Sequence, residues 1–131
     1  MSNIIIKFRY SIITLCMVLL NGVGAFASAP WTVNPSDYRY DMSLYLDVSF
    51  AKTQMDYSKY DVAVFVGDEC RGIAERLPLS EGNECLYLRA RSNKESGETM
   101  SFQYYNKDTE EVLSVEGVSF DFESNGRLGY P

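Results

Sequence analysis

Asp68, Glu69 and Arg71 are the most concentrated charged group in this chain of 131 residues. Two carboxylates and a guanidinium within four positions suit one of two tasks. They can offer oxygen atoms to a ligand or a calcium ion at a loop, with Asp56 and Asp61 adding more. Calcium takes about six to eight oxygens, and no EF-hand spacing surrounds these residues, so no metal is expected. The other task is structural: Arg71 locks a turn by pairing with a carboxylate or backbone carbonyls, and Gly72 leaves it space. Turn locking is the expectation.

Tyr45, Tyr87 and Tyr105 form a second candidate site, on the polar faces of segments whose other face is apolar. Rings so placed can stack on sugars or anchor a protein partner. They can equally stabilise the sheet as cross-strand neighbours. Cys70 and Cys85 are the third candidate. If export removes the segment that holds Cys16, the third cysteine, they are the only thiols left, and such a pair in an oxidising compartment suggests a disulfide, worth about 3 kcal/mol for a loop of this size. If residues 70–76 and 85–91 are antiparallel neighbours, however, the two Cα atoms stand roughly 20 Å apart at about 3.4 Å per residue. A bridge needs less than about 7 Å. Bridged cysteines and two buried free thiols both remain open.

The missing residue types are as informative. The chain has no histidine, which removes Ser-His-Asp and Cys-His machinery and histidine metal sites. Two cysteines without histidine do not build a usual zinc site. No Gly-rich phosphate loop or dinucleotide fingerprint is present. Among 18 acids some pair will reach glycosidase spacing by chance, so a non-catalytic protein without a cofactor is expected.

The elements that carry these residues read as strands. Met42, Leu44, Leu46, Val48 and Phe50 alternate with polar residues, the pattern of a strand with one buried face. Val62 to Val66 is a continuous apolar run, consistent with a central strand covered on both faces. Cys70 to Glu75 resumes as a strand, with Gly72 marking a bulge or close backbone approach. Leu86, Leu88 and Ala90, then Met100, Phe102 and Tyr104, repeat the alternation. Val112 to Val115 and Val118 to Phe122 read as the last two strands. With no amphipathic helix among them, these segments predict an all-β fold, a single β-sandwich of immunoglobulin-like or similar type.

Ahead of that domain lies a leader. Lys7 and Arg9 precede the apolar run Ser11 to Leu20, and small residues follow, an arrangement typical of a signal peptide. A spanning helix needs about 20 apolar residues, so no membrane anchor is expected. Cleavage after Ala27 is preferred over Ala29, because the latter would leave Pro30, with no N–H and a fixed φ, at the new terminus. Cys16 follows Leu15 inside the apolar run, which rules out a lipoprotein signal. The expected organisation is therefore a signal peptide at 1–27 and one domain at 28–131. The leader carries two of the 12 basic residues and none of the 18 acids, so the mature part has ten bases and a net charge of −8. That charge repels phosphate backbones, and nucleic acid is not expected as a partner.

Several stretches also have a familiar wording. Trp31-x-Val33-Asn34-Pro35 with Tyr40-x-Met42-Ser43, the run Val64-Phe65-Val66-Gly67-Asp68-Glu69-Cys70-Arg71-Gly72-Ile73-Ala74, and Gly97-Glu98-x-Met100-x-Phe102-x-x-Tyr105-Asn106 resemble a secreted β-sandwich module. Val118-x-Phe120 and Asn125 to Pro131 resemble its end. That module recurs in surface and exported proteins of Bacteroidota-type bacteria. The resemblance implies a sandwich fold and an extracytoplasmic setting, and no shared activity. Together these readings predict an exported interaction module of the periplasm, cell surface or extracellular space. Its partner is expected to be a protein; a glycan bound by exposed tyrosines, or a structural subunit adding a strand, are the alternatives.

Overall fold

The computed structural model describes residues 3–9, 11–19 and 29–131. Among them are eleven strands and no α-helix. β3 (Tyr40–Phe50) follows the alternation in its sequence: Met42, Leu44, Leu46 and Val48 are buried, and Ser43, Tyr45, Asp47 and Ser49 lie half-exposed on the other face. β8 (Glu84–Ser92) pairs antiparallel with one edge of β3, setting Leu44 against Leu88 and Tyr45 against Tyr87. β1 (Asn3–Phe8) takes the other edge, with Ile6 opposite Val48, and β11 (Arg127–Leu128) lies parallel to Ser43 and Leu44. Short β4 (Thr53–Gln54) and β7 (Glu75–Pro78) complete this first sheet.

The second sheet runs β6 (Glu69–Ile73), β5 (Tyr60–Val66), β9 (Ser96–Asn106), β10 (Glu111–Glu123) and β2 (Ser11–Leu19). The two sheets pack face to face as a β-sandwich. Leu44, Leu46 and Leu88 from the first meet Met100, Phe102 and Phe122 from the second. β5 is covered on both sides, as its continuous apolar run requires. Val62 and Val64 belong to the core, while Phe65 on the opposite face meets the Trp31 ring at 5.5 Å. Residues 30–37 are thus a lead-in that ends in a single 3-10 turn at Pro35–Asp37 and lays Trp31 over the outside of the second sheet.

Both margins of the sandwich are closed. On one, residues 69–78 change sheets: β6 pairs with β5 and β7 with β8. Gly72 makes this crossing possible, since a Cβ there would stand 2.4 Å from the Arg89 carbonyl oxygen. On the other margin, β1 and β2 form an antiparallel hairpin that joins β3 to β10. Ile4, Ile6 and Phe8 are buried there, and the Phe8 ring reaches Phe102 and Phe120 across the core. Burying each such side chain is worth about 1.5–3 kcal/mol.

Two expectations are refined. The last two strands are one, β10, broken in register between Val115 and Ser119, where Gly117 adopts φ 74°. A bulge of this kind bends a strand without ending it. Residues 3–8 and 11–19, expected as part of a leader with no element, form strands. Local charge and hydropathy carry no trace of this pairing, which depends on β3 and β10, partners far along the chain. Cleavage after Ala27 falls outside the described residues. Among those described, no helix is long and apolar enough to cross a membrane.

Candidate functional site

Arg71 owes its position to a bulge. Phe65 pairs with Cys70 and Val64 with Gly72, which leaves Arg71 as the extra residue in β6. Its side chain turns inward and is largely buried. Nη1 donates to Glu98 Oε1 at 2.8 Å and to the Arg91 carbonyl at 3.1 Å, and Nη2 donates to Glu98 Oε2 at 3.1 Å. Nε donates to Glu69 Oε1 at 2.7 Å. Tyr38 closes the cluster, its hydroxyl donating to the same Glu69 oxygen and its ring lying 5.2 Å from the guanidinium carbon. Ser92 Oγ donates to Glu98 Oε1.

The electrostatics follow from these contacts. The hydrogen bond from Arg71 holds the Glu98 carboxyl below its ordinary value, against the opposing effect of burial. Tyr38, then Arg71, do the same for Glu69. Burial works against the charge on Arg71, but Glu98 and Glu69 outweigh it and raise its value further. Four of the five guanidinium N–H groups are thus engaged within the protein, which leaves little to offer a ligand. The cluster is a lock that ties β6, the Tyr38 lead-in, β8 and β9 together.

Asp68 stays exposed at the turn and outside this cluster. Asp56 is engaged in a local turn with Ser58, and Asp61 faces Lys107 at 3.7 Å. Among the described residues, no group of three or more cysteine or carboxylate side chains converges as a metal site.

Cys70 and Cys85 are free thiols, and the candidate disulfide is not formed. The reason is register. Residues 75–78 pair with 84–87 and Gly72 abuts Arg89, so Cys70 lies near the Ser92 end of β8 while Cys85 lies at its start. Roughly seven residues at about 3.4 Å each separate them. Burial raises both thiols above their ordinary value.

The three tyrosines do not share a face. Tyr45 and Tyr87 are directly opposed on the outer face of the first sheet, ring centroids 5.2 Å apart and planes tilted by 51°. Tyr105 sits on the outer face of the second sheet and is only 1% exposed. Trp31 lies edge-on to it at 6.3 Å. Tyr105 is therefore removed from the contact face. Alternation placed it outward correctly, but the cover supplied by a lead-in some 70 residues earlier leaves no local mark.

Around the Tyr45–Tyr87 pair the surface is mixed. Ser43 Oγ and the Tyr87 hydroxyl are hydrogen-bonded at 3.3 Å. Asp41 faces Arg89 at 3.7 Å and Arg91 at 4.0 Å. Beside Tyr87 opens a cleft of about 360 Å³, lined by Val33 and Pro35 of the lead-in and by Ile73, Glu75, Arg89 and Arg91. Tyr87 is the one predicted site residue that lines it. Neither the lead-in's part in the cleft nor the roles of Glu98 and Ser92 in the lock leave a local mark in the sequence.

No family model, curated protein or solved structure matches this chain.

Proposed function

We propose that the mature domain is an exported, non-catalytic interaction module of the cell envelope or surface. It binds a protein partner through the outer face of its first sheet, centred on Tyr45 and Tyr87. The observation that carries this reading is the tyrosine pair beside the Tyr87-walled cleft. It combines aromatic rings, arginines and a concave apolar edge, the composition of residues that dominate protein interfaces. The signal-like leader and the resemblance to secreted modules support the extracytoplasmic setting.

A glycan platform using the same rings is the weaker alternative. Sugars stack on rings that share one plane, and these two are tilted by 51°, with Tyr105 covered. The two readings separate in one experiment. A photo-crosslinking residue placed at Tyr45 or Tyr87 should give a discrete protein adduct in envelopes of the producing cell, and one placed at exposed Asp121 should give none. Retention on a polysaccharide array, abolished by Tyr45→Ala with Tyr87→Ala in a folded domain, would overturn the protein partner and install the glycan.

A further inference from the structure

The hairpin margin of the sandwich leads to a second interaction site. β1 is a complete fit to the edge of β3: residues 4–8 pair with 46–50, and Arg9 N–H donates to the Tyr45 carbonyl at 3.0 Å. Its inward residues, Ile4, Ile6 and Phe8, are at most 5% exposed. Its outward side carries Ile5 and then two cations, with Lys7 opposite Asp47 in register and Arg9 Nη1 3.0 Å from the Asp47 carboxylate. All of β1 lies within the leader.

We infer that removing the leader opens a strand-shaped slot along Leu46 to Phe50 of β3, and that a partner protein fills it with an extended segment. This rests on the exported reading above, since it needs residues 1–27 to be cleaved. The slot then presents the unpaired backbone N–H and C=O groups of Asp47 and Ser49 and the Tyr45 carbonyl beside apolar surface from Leu46, Val48, Phe102 and Phe120. An edge in that state is a template for strand addition. The other edge exposed by cleavage is less suited. β10 bulges immediately beyond its pairing with β2 at Leu113 to Val115, and bulges guard edges.

β1 itself defines the chemistry of the occupant. It must be an extended segment with large apolar side chains at three alternate positions, the third aromatic enough to reach Phe102 and Phe120. Its solvent-facing side must carry a lysine or arginine to meet Asp47. Elsewhere the sandwich offers no comparable edge among the described strands. β7 is four residues long and contains Pro78 together with charged Glu75 and Arg76, and β6 is closed against β8 at Gly72.

The test starts from the full chain, expressed in a bacterium that exports it, with the N-terminus of the product read by intact mass. The probe is a synthetic peptide of residues 2–9. For a leaderless product the peptide should raise the melting temperature by at least about 5 °C and slow amide exchange at Asp47 and Ser49, whose backbone groups face the slot, while Val48 N–H stays bonded to the Tyr57 hydroxyl. Should the leaderless chain be unfolded alone, the same peptide should restore Trp31 fluorescence and strand structure. A peptide carrying Ile4→Ser, Ile6→Ser and Phe8→Ser should do neither. Because the Asp47 pair is partly exposed, Arg9→Glu in the peptide should weaken binding only about two- to five-fold, and Asp47→Lys in the protein should reverse that preference.

A leaderless product that is monomeric and ignores the peptide overturns the slot and leaves the exported reading intact. One that is dimeric and ignores the peptide puts a second copy there and overturns the heterologous strand. A product that retains residues 1–27 defeats the exported reading, and the slot with it.

Discussion

Replacing Arg71 with alanine strips Glu98 of both charge-assisted hydrogen bonds and leaves its carboxylate with Ser92 alone. The two side chains are only 11% and 13% exposed, so solvent does little to compensate. Removing one partner of a buried pair costs about 3–5 kcal/mol, and the residual exposure places Arg71→Ala near about 3. Glu98→Ala should cost less, about 2 kcal/mol, because Arg71 retains Glu69 and the Arg91 carbonyl. The double replacement Arg71→Met with Glu98→Leu should fall short of the sum of the single Arg71→Met and Glu98→Leu effects by about 1–2 kcal/mol, as expected for residues in direct contact. Urea unfolding followed by Trp31 fluorescence reads all of these as free energies, and thermal melts should shift by roughly 4–8 °C per kcal/mol. Arg71→Ala costing under about 1 kcal/mol, or strict additivity in the cycle, would refute the lock. Acid gives a second readout. The folded state holds Glu98 below its ordinary 4.5, so its contribution is complete above that value and is lost as pH falls through the lowered folded one. The advantage of the wild type over Glu98→Gln should be constant at neutral pH and shrink from about pH 4.5 downward.

Tyr105→Ala should behave as a core deletion and cost about 3–5 kcal/mol, whereas Tyr45→Ala should cost about 1; thermal melts that rank them the other way would contradict the cover supplied by Trp31. Intact mass should be the same with and without reductant. At pH 7.5 iodoacetamide should modify half-exposed Cys70 faster than fully buried Cys85, and both slowly, because burial raises each thiol. Gly72→Ala drives a Cβ into the Arg89 carbonyl and should lie at or above the top of the range for overpacking, about 3 kcal/mol; a neutral result in the same urea assay would mean that β6 does not pass so close to β8.

Most strands were legible because one buried face imposes alternation, as β3, β8 and β9 demonstrate. Gly72 announced a bulge or a close approach, and it takes part in both. The bulge at Gly117 was less visible: Val115 and Val118 break the period, which reads equally well as two strands. The lock was half legible. Glu69 and Arg71 stand together in sequence, but Glu98 and Tyr38 reach Arg71 only through pairing that joins positions roughly 30 residues away in either direction. The contact face failed at Tyr105 for a related reason. Alternation tells which side of a sheet a residue faces and says nothing of what later covers that side.

The pairing order of β3 sets a problem of timing. Synthesis delivers the chain N-terminus first, at about 5–20 residues per second. Met42, Leu44, Leu46 and Val48 emerge early, yet β8, which pairs with three of these four positions, is more than 30 residues behind them, and β11 comes last of all. Non-local pairings of this kind fold slowly because loop closure precedes any reward. For some seconds the Met42 to Leu46 stretch of the nascent chain must wait for its β8 neighbour, and holdase capture during that interval would guard its apolar face against aggregation.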